Sequence, residues 1–198
     1  MTAVSESADV RLSRLRVPAE DDLSPEMQEL YAKYRRYYGY LPNWVQAFAL
    51  SPNVIKRFTT YYESLLNPAH GHLPMVEREM IASIVSHQNH CTYCSLNHVG
   101  AYAKQCGDAQ RAQRVAHNFR EVDDLSARER AIATFASKLT AGGASISDAD
   151  FDALRAVGLD DEEILEVMEI ASWFNHSNRL ATPLAILPDD QLFDFQRI

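Results

Sequence analysis

The chain has 198 residues, of which 46% are apolar and 23% are charged, and its formal net charge is −8. This length and composition are typical of one globular domain, or of a domain with an arm. The net negative charge disfavours nucleic acid and anionic membranes as main partners. No run of about 18 apolar residues is present, so the sequence predicts no membrane-spanning helix.

Residues 1–22 are predicted to form a polar N-terminal arm, followed by one domain at 23–198. The arm lacks the apolar segment of a signal peptide, so we expect a cytoplasmic protein. Thiols stay reduced in the cytosol, where a CxxC pair is more often catalytic or metal-binding than a structural disulfide. The odd count of three cysteines also argues against a disulfide framework.

Helix signals follow one another along the rest of the chain, and no segment alternates in the manner of a β-strand. The predicted helix starts are Ser24–Pro25, Ser51–Pro52, Pro74, Ser126 with Glu129, and the acidic run at 160–163. Gly39 is a predicted helix stop. We therefore predict an all-α fold of about eight to ten helices.

The stretch HQNHCTYCSLNHVGAY, residues 87–102, interrupts the helix that follows Pro74. Asn89 or His90 is predicted to cap a new helix, with Cys91 in its first turn. Exposed backbone N–H groups and the helix dipole lower the pKa of a thiol in that position. The CxxC motif is therefore predicted to begin a core helix.

Helical geometry places the polar groups of this stretch on one face. Cys94 lies about 60° from Cys91 around the helix, and His98 lies about 20° from Cys91. Cys94 and His98 are one turn apart, so a neutral imidazole there can take the proton of a thiol. The preceding helix offers Glu79 as a partner for His98, with Glu77 as the alternative if the helix phase differs.

The spacing of four residues resembles the signature of the AhpD-like alkylhydroperoxidases. Glu79 is followed by eleven residues and then by the Cys91–Cys94 motif, and three more residues precede His98. These proteins form part of the carboxymuconolactone decarboxylase superfamily. The segments YGYLPNWVQAFALSPNVIKRF and WFNHSNRLATPLAI are also similar to helices of its peroxidase-related members. The likeness covers residues 25–187.

This resemblance implies an all-α homo-oligomer, a trimer or hexamer, that reduces peroxides without a bound cofactor. It implies that Cys94 attacks the peroxide and becomes a sulfenic acid, which Cys91 converts to a disulfide. Glu79 and His98 form the implied proton relay. An external lipoyl- or thioredoxin-like dithiol then reopens the disulfide.

Two features of the sequence argue against transferring these roles directly to this chain. The dipole argument favours Cys91 as the thiol of lower pKa, whereas the family assigns first attack to Cys94, beside the histidine. The best-studied members of the family also have a histidine just before the second cysteine, where this chain has Tyr93. Tyrosine is a poor proton acceptor at neutral pH.

Other residues and functions stay open. His90 is a candidate to shield the cysteines, and Asn178 or Arg179 is a candidate to position the Glu79–His98 pair. Zinc would need further ligands, because no second CxxC or HxxxH element is present; we predict no metal. The alternative functions are a redox switch, a metal-binding protein, or a lactone decarboxylase that works without a redox dithiol.

Overall fold

The computed structural model describes residues 11–197, and the first ten residues of the predicted arm lie outside them. Within that range the chain forms nine α-helices and no β-strand, which confirms the predicted fold class and helix number. The helices are α1 Pro25–Tyr38, α2 Asn43–Phe48, α3 Pro52–Leu65, α4 Met75–Gln88, α5 Thr92–Cys106, α6 Ala109–Asn118, α7 Ala127–Ala141, α8 Asp148–Arg155 and α9 Asp161–Leu184.

Local capping explains where several of these helices begin and end. The Ser24 hydroxyl accepts a hydrogen bond from the N–H of Met27, which satisfies one free donor of the first turn of α1. Gly39 ends that helix in the left-handed region, at φ 80°. Ser126 and Glu129 form the predicted capping box at the start of α7.

Helix α4 lies at the centre of the bundle. Its residues 77–86 are all buried, and it packs against α5, α6, α7 and α9. A helix buried on every side needs partners for each polar group it carries inward. The three consecutive charged residues of α4 therefore pair with three different helices. Glu77 binds Arg128 of α7 at 2.7 Å, and Arg78 binds Glu166 of α9 at 2.9 Å; Glu79 faces α5.

The side chain of Arg78 also holds the loop between α3 and α4. Its guanidinium donates to the backbone carbonyls of Leu65, Asn67, His70 and Leu73. These contacts satisfy loop carbonyls that would otherwise be buried without a donor. Arg78 thereby fixes how the chain enters α4.

The two ends of the described chain lie side by side. The N–H of Arg14 donates to the carbonyl of Leu184 at 2.8 Å, and the N–H of Leu187 donates to that of Leu12 at 2.9 Å. A 3₁₀ segment, Asp190–Arg197, follows. None of the helices in residues 11–197 combines the length and apolar character that crossing a membrane requires.

Candidate active site

The turn between α4 and α5 differs from its prediction. Cys91 itself is the N-cap of α5, and its N–H donates to the carbonyl of Ser86 at 3.0 Å. His90 is in the left-handed region at φ 54°, so it belongs to the turn. The predicted cap at Asn89 or His90 is therefore wrong by one or two residues. The predicted position of the CxxC motif at the start of a core helix is confirmed.

Both thiols of the motif are free and buried, Cys91 at 1% exposure and Cys94 at 6%. A hydrogen bond from the Cys94 thiol holds the pKa of Cys91 below its ordinary value, helped by Thr182, the Cys94 backbone N–H and the charge of His98. That same hydrogen bond, together with burial and the charge of Cys91, raises the pKa of Cys94 well above its ordinary value. Of the two thiols, Cys91 therefore has the lower pKa, in agreement with the helix-dipole argument.

Glu79 and His98 form a buried pair beside the motif. The His98 Nδ1 lies 2.8 Å from the Glu79 Oε2, and both residues are less than a tenth exposed. The other ring nitrogen of His98, Nε2, lies 3.3 Å from the amide nitrogen of Asn97. The Phe174 ring packs edge-on against the imidazole, with a centroid distance of 4.5 Å. A carboxylate at Nδ1 orients the ring, which suits a proton carrier.

Glu77 takes no part in this pair. Its two carboxylate oxygens accept hydrogen bonds from Arg128, at 2.7 and 3.0 Å. The helix phase of α4 therefore directs Glu79, and not Glu77, towards His98.

Tyr93, the residue between the cysteines that departs from the family pattern, forms its side-chain hydrogen bond outside the Glu79–His98 pair. Its hydroxyl donates to the carboxylate of Asp189, which is 5% exposed. The other oxygen of Asp189 accepts from the N–H of Asn43 at 2.9 Å. Burial raises the pKa of Asp189, which the hydrogen bond from Tyr93 opposes. Tyr93 thus ties the CxxC turn to α2 and to the C-terminal segment.

Asn178 lies on the cysteine side of α9 and is 1% exposed. Its amide donates to the Ser86 hydroxyl at 3.1 Å, and its Oδ1 accepts from the Asn89 amide at 2.9 Å. Asn178 and Ser177 also form hydrogen bonds that lower the pKa of Cys94. Asn178 therefore supports the thiols and the turn before them, and its hydrogen bonds do not reach the Glu79–His98 pair.

The two remaining candidates lie on the surface. His90 is exposed and lies in the turn before Cys91. Arg179 is exposed, and its guanidinium donates to the backbone and side-chain oxygens of Asn175 at 2.8 Å. These contacts do not connect Arg179 with the Glu79–His98 pair, and the shielding role of His90 stays a prediction.

Three residues that form hydrogen bonds with the CxxC motif were not predicted from the sequence: Ser177, Thr182 and Asp189. Each lies more than 80 residues from the motif, so only the fold brings them to it. In the described part of the chain, no three His, Cys, Asp or Glu side chains are grouped so that they could hold a metal ion.

A cavity of about 860 Å³ opens beside the pair. Glu79 and His98 lie in its wall, together with the α5 residues Leu96 and Asn97. The cysteines are not part of that wall. His98 connects the cavity with the thiols, because it lines the cavity and its charge helps to lower the pKa of Cys91.

Known proteins resemble the chain in sequence and in fold. Residues 52–117 match the model of the carboxymuconolactone decarboxylase family. No curated protein matches significantly. An uncharacterized peroxidase-related protein from Ralstonia eutropha JMP134, described as an alkylhydroperoxidase AhpD core, is 30% identical with a TM-score of 0.89, over 96% of this chain and 98% of its own.

A second uncharacterized peroxidase-related protein, from Silicibacter sp. TM1040, is 32% identical with a TM-score of 0.87, over 94% of this chain and 97% of its own. The debrominase Bmp8 shares the fold at 19% identity and a TM-score of 0.75, over 94% of this chain and 96% of its own. The identity to the two peroxidase-related proteins extends over nearly their full length. The chain belongs to the AhpD-like proteins of the carboxymuconolactone decarboxylase superfamily.

Proposed function

We propose that the protein reduces organic hydroperoxides with the Cys91–Cys94 dithiol. One observation carries the proposal: a CxxC pair at the N-terminus of a buried helix is followed, on the same helix, by a histidine paired with a buried glutamate at 2.8 Å. A thiolate, a second thiol and a proton carrier are the groups that a two-electron dithiol reduction of a peroxide needs.

In the first step, Cys94 attacks the peroxide. The raised pKa of Cys94 means that its proton must be removed before attack. His98, one turn along α5 and oriented by Glu79, takes that proton. The Cys94 sulfur then bonds to one peroxide oxygen, and the O–O bond breaks. The alkoxide leaves as an alcohol with the proton from His98, and Cys94 becomes a sulfenic acid.

In the second step, the Cys91 thiolate attacks the sulfenic sulfur. The lowered pKa of Cys91 keeps this thiol ionised near neutral pH, so that it needs no base of its own. The disulfide forms, and hydroxide leaves and becomes water with a proton from solvent. An external dithiol of lipoyl or thioredoxin type supplies the electrons that reopen the disulfide.

The proposal includes the assembly and location that the resemblance implies. We expect a homo-oligomer, a trimer or hexamer, in the cytoplasm. Size-exclusion chromatography with light scattering measures the mass directly, and a purely monomeric protein would contradict this part of the proposal alone.

Peroxide consumption tests the function. Pre-reduced protein receives tert-butyl hydroperoxide and excess small dithiol, and peptide mass mapping follows the Cys91–Cys94 fragment. Cys94→Ser and Cys91→Ser should lose turnover. Cys106→Ser is the matched control, because Cys106 lies at the far end of the same helix and should keep full activity. Persistent peroxide with both thiols still reduced would refute a peroxidase.

A further inference from the structure

The cavity beside His98 is larger than a small peroxide requires. Its volume is about 860 Å³, whereas cavities of roughly 300–1,000 Å³ hold ligands of drug size. Hydrogen peroxide is only slightly larger than a water molecule and would fill a small part of it. The volume alone therefore points to a substrate with a substantial organic body.

The wall of this cavity is rich in aromatic rings. Five tyrosines contribute to it: Tyr34, Tyr37, Tyr38, Tyr40 and Tyr62. Apolar side chains of Leu66, Leu96 and Leu192 add to them. Aromatic side chains pack favourably against rings in edge-to-face and offset arrangements. This composition favours a ligand that carries a ring.

Apart from Glu79 and His98, which pair with each other, the charged groups of the cavity lie at its mouth. Lys33, Glu63 and Lys104 are exposed, and Lys33 pairs with Glu63. Further in, the wall is formed by half-buried residues such as Tyr62 and Leu96. An uncharged organic body suits this interior, because burying a charge there without a partner would be costly.

One wall is held in place by the CxxC motif itself. Leu192 is 9% exposed, and its N–H donates to the carbonyl of Asp189 at 3.0 Å. Asp189 in turn accepts hydrogen bonds from Tyr93 and Asn43. Because Asp189 is fixed from two sides, the Leu192 wall is part of the resting fold and the cavity is preformed.

We infer that this cavity binds the organic body of the substrate, and that the preferred substrate is an uncharged hydroperoxide bearing an aromatic ring. The inference rests on the proposed function. His98, one turn from Cys94, is where the peroxide group of such a molecule meets the dithiol chemistry. The ring lies among the tyrosines, and the mouth stays open to solvent.

Substrate competition with a matched pair of variants tests this inference. Wild type should have a kcat/KM for cumene hydroperoxide at least about tenfold above that for tert-butyl hydroperoxide, which has no ring, since apolar pockets discriminate by factors of this size. Leu192→Trp fills the cavity from its wall and should remove that preference by lowering kcat/KM for cumene hydroperoxide. Leu187→Trp, an exposed position of the same segment outside the cavity wall, should leave the preference intact.

Binding of the product alcohol gives a readout without thiol chemistry. Saturation-transfer NMR with 2-phenyl-2-propanol should show ring protons bound to wild type and to Leu187→Trp, but not to Leu192→Trp. Circular dichroism confirms that each variant is folded. Equal kcat/KM for both peroxides together with no alcohol binding would overturn the inference and leave the proposed function standing. Loss of all peroxide turnover would instead refute the proposed function, while alcohol binding still decides whether the cavity takes a ring.

Discussion

Two buried glutamates of this protein, Glu166 and Glu79, have similar exposed fractions of 7% and 6%. Their surroundings differ. Glu166 binds the Arg78 guanidinium at 2.9 Å, and it accepts hydrogen bonds from the N–H groups of His72 and Leu73. Glu79 binds His98 and lines an open cavity.

The difference between these sites lies in the partners and not in the acids. Arginine stays charged at all physiological pH values, so the pair of Glu166 is a fixed contact that holds a loop. An imidazole can accept or donate a proton, so the pair of Glu79 can take part in proton transfer. Burial alone therefore does not single out a candidate functional acid, whereas burial beside a histidine at a cavity does.

Removing the fixed charge should have the largest effect on stability. In Arg78→Met the Glu166 carboxylate remains buried without its partner, and four loop carbonyls lose their donor. We expect the free energy of unfolding to fall by about 3–5 kcal/mol. Urea unfolding followed by circular dichroism measures it. A loss below about 1 kcal/mol would place this pair with ordinary surface ion pairs.

Removing the titratable charge should act on the reaction. Glu79→Gln keeps the size of the side chain but cannot stabilise a protonated His98, so we expect peroxide turnover to fall at least about 100-fold. Stopped-flow or coupled dithiol assays at saturating donor measure the rate. Glu77→Gln is the matched control two residues away, because Glu77 contacts Arg128 and should leave the rate per folded molecule unchanged. Equal losses of peroxide turnover in Glu79→Gln and Glu77→Gln would contradict a role that is specific to Glu79.

A methyl group at Gly71 should disturb the Glu166 site. Gly71 has φ +86°, and a Cβ there would come within 2.6 Å of the Glu166 Oε1. Since Arg78 holds that carboxylate, it cannot swing away without losing the ion pair. We expect Gly71→Ala to cost about 2–3 kcal/mol in thermal or urea unfolding, against about 1 kcal/mol for left-handed backbone alone. Gly39→Ala, at φ +80° with no atom within 4 Å of its Cβ, provides the smaller reference value.

The pH dependence of Cys91 should show that the active site titrates near neutrality. The pKa of Cys91 is lowered, so its alkylation should be slow at low pH and should accelerate as pH rises through a value below that of an ordinary thiol. Cys94→Ala removes the hydrogen-bond donor that contributes most to this shift, so its curve should move to higher pH, by about one unit, equivalent to about 1.4 kcal/mol. Iodoacetamide labelling read at Cys91 by mass spectrometry gives both curves. Superimposable curves would show that Cys94 does not act on Cys91.

Local signals predicted much of the fold. Helices α1, α3, α4, α7 and α9 begin where their Ser, Pro or acidic residues indicate, because caps act within one turn of the chain. The face shared by the CxxC motif and His98 follows from helical geometry. The cap of α5 was wrong, because the Asn89 side chain is used by Asn175 and Asn178 of α9 and is not available to its own helix.

Long-range contacts could not be predicted in this way. The partner of Tyr93 lies 96 residues further along the chain, and Asn89 and Asn178 are 89 residues apart. Arg78 attracted no notice in the sequence, since nothing local indicates that it meets Glu166. Such pairs are determined by which helices pack together, and composition and periodicity do not specify that packing.

The central claim is that Cys94 is the residue that peroxide oxidises first. Trapping with dimedone, which labels sulfenic acids, tests it directly in the two single-cysteine variants of the motif, both carrying Cys106→Ser. Cys91→Ser treated with one equivalent of cumene hydroperoxide should carry the label on Cys94, because no thiol remains to resolve the sulfenic acid. Cys94→Ser should stay unlabelled on the same timescale. Rapid labelling of Cys91 in Cys94→Ser, with none on Cys94 in Cys91→Ser, would contradict the claim and give the attack to the thiol of lower pKa.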